Sequence, residues 1–245
     1  MLLAGQIAIV TGAGRGIGRA IALAYAREGA SLVIAEKDRE PAQEVAEKIR
    51  GLGGQALVIE TDVAQESSVN AMVERVLREL GTIDILVTNA GIQRRYFVHQ
   101  LPTAEFQAML DVNLLGTFYC CRAVLPTLYA RRTGTILMIA SDSGRRGYAY
   151  NAAYCASKFA VIGFMEALAD EARAYAVRVN ALCPAGVKTR MSESVTWGDG
   201  RPLRLEHFME PEEVADVALF LVGPGARAIH GQAIPVYGGV TYRLE

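Results

Sequence analysis

The sequence predicts an α/β fold, a single doubly wound domain on a parallel seven-stranded sheet with helices on both faces. Three observations predict it. Short β-branched runs alternate with longer stretches of helical periodicity along all 245 residues. Most of the runs are apolar throughout, as strands covered on both sides must be. No linker, repeat or low-complexity segment breaks the chain, so residues 1–245 read as one domain.

The first strand, QIAIVT (6–11), meets a glycine-rich turn and then a helical pattern over 16–28. SLVIAE (31–36) and QALVIE (55–60) follow, each leading into a helical pattern, at 40–52 and 66–80. DILVTN (84–89) precedes a long pattern at 103–130, GTILMIAS (134–141) one at 152–175, and VRVNALC (177–183) one at 211–222. AIPVYG (233–238) closes the sheet, and every crossover should be right-handed. KTRMSESVTWGDGRPLRLEHFME (188–210) interrupts this rhythm beyond a strand's carboxyl end, where ligands bind in such sheets. It reads as a substrate lid or as a surface connection.

Composition is globular, 51% apolar and 21% charged, and 25 basic against 26 acidic residues leave a net charge of −1. Nothing in that balance points to a nucleic-acid or membrane-surface partner. Cys120, Cys121, Cys155 and Cys183 show neither metal-ligand spacing nor a disulfide framework, and read as small apolar residues in a reducing compartment. The start, MLLAGQIAIVTGAG, runs straight into a strand without a cationic leader, so no signal peptide is expected. No apolar run reaches ~18 uncharged residues, so no transmembrane helix is expected and the chain reads as cytoplasmic.

TGAGRGIG (11–18) joins the first strand to the first helix. It is neither the strict G-x-G-x-x-G, since Ile17 takes the last glycine slot, nor a P-loop. Gly12, Gly16 and Gly18 still permit a tight turn, close approach of a pyrophosphate and packing of helix on strand, with helix N-terminal amides facing the anion. Glu36 ends the second strand, where a carboxylate accepts from both adenosine ribose hydroxyls and repels a 2′-phosphate. That favours NAD. Arg15 and Lys37 pull toward NADP, because either can pair with a phosphate. Glu36 can also be an ordinary solvated strand end.

The loop SDSGRRGYAYNAAYCASK (141–158) holds three tyrosines. Tyr154 and Lys158 stand at helical spacing on one face. A nearby ammonium favours phenolate, lowering a pKa that starts near ~10. Tyr148 and Tyr150 lack such a partner, so Lys158 singles out Tyr154.

These motifs resemble the short-chain dehydrogenase/reductase family over nearly the whole chain, with a Rossmann-type fold. TGAGRGIG matches its cofactor turn, TNAG (88–91) its central-strand motif, Asn113 in DVNLLG its helix asparagine, Ser141 with YCASK its catalytic set, and NALCPAGVKT (180–189) its late-strand run. The resemblance implies an NAD(P)-dependent alcohol/ketone oxidoreductase. Tyr154 would be its general acid and base. Lys158 would hold the nicotinamide ribose and stabilise the tyrosinate, and Ser141 would donate to the substrate oxygen. Asn113 would kink its helix and position a relay water. Cofactor contacts carried over are Gly12, Arg15, Gly16, Ile17 and Gly18 in the turn, and Glu36 at the ribose. Asp62 and Val63 would contact the adenine, and Asn89, Ala90 and Gly91 the adenosine ribose. Pro184, Val187 and Thr189 would lie at the nicotinamide end. A homotetramer packed through the patterns at 103–130 and 152–175 is also implied.

Three departures from the family pattern stand out. Pro184 is followed by Ala185 before Gly186, so the nicotinamide loop should be slightly reshaped. Tyr237 replaces the usual aspartate before the final Gly-Gly. Ala176 replaces the glycine that ends the long helix, which then needs another C-cap.

Arginines cluster around the expected substrate mouth: Arg94 and Arg95, Arg145 and Arg146, and Arg201 and Arg204 in the lid segment. Solvated loop arginines are the ordinary reading. Together they suggest an anionic or heavily hydroxylated substrate, with Arg94, Ser143 and Arg146 as contacts. NAGIQRR resembles gluconate-type sugar-acid dehydrogenases. The overall pattern also resembles 3-oxoacyl thioester reductases, whose acidic carrier would approach Arg131, Arg132 and Arg173. Glu36 disfavours the NADPH those reductases use. A catalytically silent NAD(P)-binding sensor is the reading from another class, and no metal site is expected.

Overall fold

The computed structural model describes residues 1–193 and 208–238. Seven strands, β1 (Ile7–Thr11), β2 (Ser31–Glu36), β3 (Ala56–Glu60), β4 (Ile85–Thr88), β5 (Thr135–Ile139), β6 (Arg178–Pro184) and β7 (Ala233–Val236), form one sheet of order β3-β2-β1-β4-β5-β6-β7. Every neighbouring pair is parallel. Helices α1 (Gly16–Arg27), α2 (Arg39–Gly51), α3 (Glu66–Leu80), α4 (Thr103–Leu110), α5 (Gly116–Arg131), α6 (Ala152–Arg173), α7 (Arg190–Glu193) and α8 (Pro211–Val222) make the connections.

Successive strand residues point to opposite faces and find separate cores, which is why the strands carry no polar alternation. Ala8, Val10, Leu32, Ile34 and Val87 pack under α1, α2 and α8, with Ile21, Val45 and Ala218 among their partners. Ile7, Ile9, Val33, Leu86 and Met138 pack under α3, α5 and α6, against Met72, Val124 and Met165. On the first face the buried Tyr25 hydroxyl donates to the Ala218 carbonyl at 3.1 Å, linking α1 to α8. All four cysteines are free and buried. Burial pushes the Cys120 thiol up to about 12 and Cys121 well above its ordinary value, so both are unreactive packing residues.

Strand order reverses beside β1, which has β2 on one side and β4 on the other. A crevice opens at such a switch point beyond the strands' carboxyl ends. The turn after β1 and the TNAG segment after β4 therefore meet there.

One expectation changes. The helical pattern at 103–130 is not one regular helix: α4 and α5 are joined by a π-helical turn, Asp111–Leu115, centred on Asn113. By length and composition, Thr103–Arg131 and Ala152–Arg173 are apolar enough to cross a membrane, where none was expected. Both are that apolar because one side of each packs into the core under β4, β5 and β6. The predicted lid lies mostly outside the described residues, including Trp197, Arg201 and Arg204. Its two ends are described, and Val187 bridges Met209 in parallel.

The turn after α6 resolves the missing glycine. Ala176 itself adopts the left-handed conformation, φ 56°, while Val177 N–H closes the helix end on the Ala172 carbonyl at 3.3 Å. An L-residue there costs about 1–2 kcal/mol, and exposed Ala176 has little packing to lose. Ala176→Gly is expected to stabilise the fold by about 1 kcal/mol, read as a higher urea midpoint with an unchanged slope.

Candidate active site

A cleft of about 1640 Å³ runs along the carboxyl ends of the strands and receives almost every residue singled out from sequence. At one end the turn between β1 and α1 is held shut by neighbouring strands. The Thr11 hydroxyl accepts from the backbone N–H groups of Asn89 and Ala90, at 3.0 and 3.1 Å. The Asn89 side-chain amide donates to the carbonyls of Thr11 and Gly12, at 2.9 and 3.1 Å. Gly18 belongs to the same knot: a Cβ there would stand 2.3 Å from the Gly12 carbonyl oxygen and 2.4 Å from the Asn89 amide nitrogen. Gly18 therefore serves packing and does not line the cleft, whereas Gly12, Arg15, Gly16 and Ile17 do. The N-terminus of α1 carries no side-chain cap, which leaves its amides facing the cleft.

Glu36 reaches back toward the turn. Its carboxylate accepts from Gly14 N–H at 3.0 Å and from the N–H groups of Lys37 and Asp38 at 2.9 and 3.3 Å. Gly14, which the sequence reading passed over, makes this possible, since a Cβ there would lie 2.9 Å from the carboxylate. The two cations beside it are already paired. Arg15 meets Asp38 and Lys37 meets Asp62, each at 2.7 Å. Asp62 also accepts from Ala64 N–H, so it caps the turn before α3 while lining the cleft beside Val63.

At the other end, Ser141 follows β5 while Tyr154 and Lys158 occupy the first turns of α6, and all three are buried. Burial pushes the Tyr154 phenol up to about 12, against a hydrogen bond with Ser141 that lowers it. The expectation of a phenol acidified by Lys158 alone is not met. The ammonium stands 5.8 Å from the ring centroid and donates to the Ile139 carbonyl at 2.8 Å, while burial brings Lys158 itself down to about 8. Desolvation outweighs attraction, because a low-polarity site disfavours both charges.

Asn113 sits behind this wall rather than in it. Its side-chain oxygen accepts from Ile92 N–H at 2.8 Å, and its amide donates to the Ile92 carbonyl and the Ser157 hydroxyl, both at 3.0 Å. Ser157 in turn donates to the Tyr154 carbonyl at 2.8 Å. The π-helical turn thus aims a side chain that fastens the TNAG segment to α6. Ser157 was not singled out from sequence, because a helical serine carries no signal of its partners.

The other tyrosines separate cleanly. Tyr150 has φ 67° and sets its ring edge against Phe97, with centroids 4.7 Å apart. Tyr148 is not partnerless, as sequence suggested: its hydroxyl donates to the Asp142 carboxylate and meets Arg146 Nε. Arg94, Arg95, Ser143 and Arg146 line the cleft. Arg145 does not, its guanidinium donating instead to the Ala233 carbonyl at 3.0 Å. Pro184, Val187 and Thr189 line the wall beyond β6, with Asn89, Ala90 and Gly91 opposite. Ala185 donates its N–H to the Val236 carbonyl at 2.9 Å. A Cβ on Gly186 would sit 2.8 Å from the Phe208 ring, so the glycine is still needed there. Among the described residues, no group of His, Cys, Asp and Glu is arranged to hold a metal.

An uncapped helix N-terminus, side-chain-free approach at the glycines and a carboxylate at the end of β2 fit a dinucleotide lying across the switch point. Comparison with known proteins agrees. Residues 6–199 match the family model described as short chain dehydrogenase. D-threitol dehydrogenase of Mycolicibacterium smegmatis is 36% identical, covering 98% of this chain and 95% of its own. A 3-ketoacyl-(acyl-carrier-protein) reductase from Brucella melitensis, solved with NADH, superposes with a TM-score of 0.87 at 32% identity, covering 98% of this chain and 99% of that one. A provisionally named NAD(P)-dependent gluconate 5-dehydrogenase from Beutenbergia cavernae, with NADP at low occupancy, gives 0.88 at 35%, covering 97% of each.

Replacing Asn113 removes three hydrogen bonds beside the TNAG segment and leaves the Ile92 N–H without its acceptor and the Ile92 carbonyl and Ser157 hydroxyl without their donor, each loss worth about 1–3 kcal/mol. Asn113→Ala is expected to destabilise the protein and to speed hydrogen exchange at the Ile92 amide at least about tenfold, measured by NMR or mass spectrometry.

Proposed function

The chain belongs to the short-chain dehydrogenase family, and on that premise we propose that it interconverts a secondary alcohol and a ketone, with Tyr154 as general acid and base. The observation that carries this reading is the buried group of Ser141, Tyr154 and Lys158 at one end of a cleft whose other end is the glycine turn. The nicotinamide dinucleotide supplies or accepts the hydride. Tyr154 gives its phenolic proton to the oxygen of a ketone being reduced and takes one from an alcohol being oxidised. Ser141 donates to the same oxygen. Lys158 holds the ribose hydroxyls of the nicotinamide half, and its charge favours the ionised phenol. Asn113 holds the TNAG segment against α6.

The pH dependence follows from burial. With the phenol pushed up to about 12, its neutral form prevails at neutral pH and is the form reduction requires. Oxidation requires phenolate, whose fraction grows as pH rises toward that value. Oxidation is therefore expected to accelerate from pH 7 to 9 while reduction stays nearly level, in steady-state profiles of kcat/KM. Tyr154→Phe is expected to lower turnover by at least ~10³-fold with dinucleotide affinity within about threefold of wild type. Substantial residual turnover would move the acid role elsewhere, and binding without turnover by the wild type across ketones, sugar acids and 3-oxoacyl esters would favour the silent sensor.

We assign NAD ahead of NADP. Glu36 stands where a 2′-phosphate would approach, and Arg15 and Lys37, the cations able to receive that phosphate, are already paired with Asp38 and Asp62. Exposed pairs hold little, about 0–1 kcal/mol, so the assignment rests on the carboxylate of Glu36 rather than on that pairing. Glu36→Gln keeps an acceptor for Gly14 and removes the charge. It is expected to narrow the NAD to NADP ratio of kcat/KM about tenfold, and an unchanged ratio would show that Glu36 does not set it.

The substrate is a small polar alcohol or ketone, a sugar acid or polyol in preference to a 3-oxoacyl thioester. Arg94, Arg95, Ser143 and Arg146 make a polar cationic lining at the reacting end. The basic patch a carrier protein would need is largely engaged within the chain. Arg131 bonds the Ile83 carbonyl and Asp84, and Arg132 bonds the Ala174 carbonyl. A closing lid over 188–210 and a homotetramer in a cytoplasmic setting belong to the same reading. Exposed Phe159 on α6 and Tyr175 just beyond it support packing between subunits.

A further inference from the structure

Asp142 follows Ser141 directly and is only 4% exposed, although it borders the cleft. A carboxylate so placed is costly unless donors surround it. Three do. Oδ1 accepts from the Tyr237 hydroxyl at 2.6 Å, and Oδ2 accepts from the Tyr148 hydroxyl and from Arg146 Nε, the latter at 3.3 Å. Tyr148 and Arg146 come from the loop before α6, while Tyr237 stands just past β7 and outside the cleft lining. One carboxylate thus joins the serine loop to the far edge of the sheet. Tyr237 fills the place where the family pattern has an aspartate, so in this chain the acid stands on the serine loop and a phenol answers it.

Arg146 is oriented twice over. Its Nε donates to the Tyr148 hydroxyl and, at 3.3 Å, to Asp142 Oδ2, and its guanidinium carbon sits 4.7 Å from the Tyr148 ring centroid. No hydrogen bond engages its two terminal nitrogens among the described residues, and the side chain lines the cleft beside Ser143. A guanidinium fixed through Nε presents a planar pair of donors suited to a carboxylate. Asp142 offsets its charge at long range, so what the pair offers is direction rather than field.

We propose that Asp142 is a positioning residue for substrate choice: clamped by Tyr148 and Tyr237, it aims the Arg146 fork at the carboxylate of an acidic substrate whose reacting oxygen lies at Ser141 and Tyr154. This rests on the dehydrogenase reading above and names the substrate class. The test uses two probes of one carbon skeleton, D-gluconate and its neutral polyol D-glucitol, with the intact enzyme, NAD for turnover and NADH for binding. Wild type is expected to bind gluconate at least about tenfold more tightly than glucitol, by quenching of NADH fluorescence. Tyr237→Phe and Asp142→Asn are each expected to erase most of that preference by raising KM for the acid, while NADH affinity and kcat on the polyol move less than about twofold. In Arg146→Leu the preference is lost, and adding Asp142→Asn changes nothing further. Equal binding of the probes by wild type, or an Asp142→Asn loss of kcat shared equally by acid and polyol, overturns the proposal, the second outcome reducing Asp142 to a prop for Ser141. Turnover of polyols without acid preference would defeat this inference and keep the dehydrogenase reading. Loss of all turnover in wild type would defeat both.

Discussion

The site depends on one closure: the Asn89 amide spanning from the end of β4 to the carbonyls of Thr11 and Gly12 at the end of β1. Parallel strands leave their last carbonyls unpaired at the switch point, and a buried carbonyl without a donor is unfavourable. The amide satisfies both, the Thr11 hydroxyl satisfies the two N–H groups opposite, and Gly18 supplies the clearance that lets α1 come down on the knot. With these carbonyls engaged, the uncapped N-terminal amides of α1 are left toward the cleft. An anion-receptive surface built from backbone results, with Arg15 at its edge.

The other end works by exclusion of water. Tyr154 and Lys158 are as buried as core residues, and that burial raises one and lowers the other toward neutrality. Tyr154 is not ionised by its neighbour, while Lys158, at about 8, keeps its charge at neutral pH. The phenol is held protonated, and the balance can be tipped by a charge brought close in a medium where charges act strongly. The same dry setting makes the Asp142 cluster informative, since a carboxylate beside Ser141 persists only because two phenols and a guanidinium enclose it.

The two ends are coupled through backbone. Asn113 holds Ile92, three residues past Asn89, and meets Ser157, which holds the Tyr154 carbonyl. The π-helical turn at Asp111–Leu115 widens the helix enough to aim Asn113 across that gap. Rigid positioning of Tyr154 relative to the switch point therefore runs through a side chain that does not line the cleft.

What the sequence by itself determined was periodic or local: strand runs, helix faces, the glycine turn before α1, and Tyr154 with Lys158 on one helical turn. Strand boundaries fell within a residue or two, because two-sided burial writes itself as continuous apolar runs. Contacts between residues distant in the chain were decided only by the tertiary structure. Gly14 under Glu36, Ser157 under Asn113, and Tyr237 on Asp142 carry no periodic signature, since each is defined by a partner dozens of residues away or by the turn of a helix. The protonation of Tyr154 belongs to the same group. Spacing named the lysine as its neighbour, but desolvation, which only packing establishes, decided which way its proton leans.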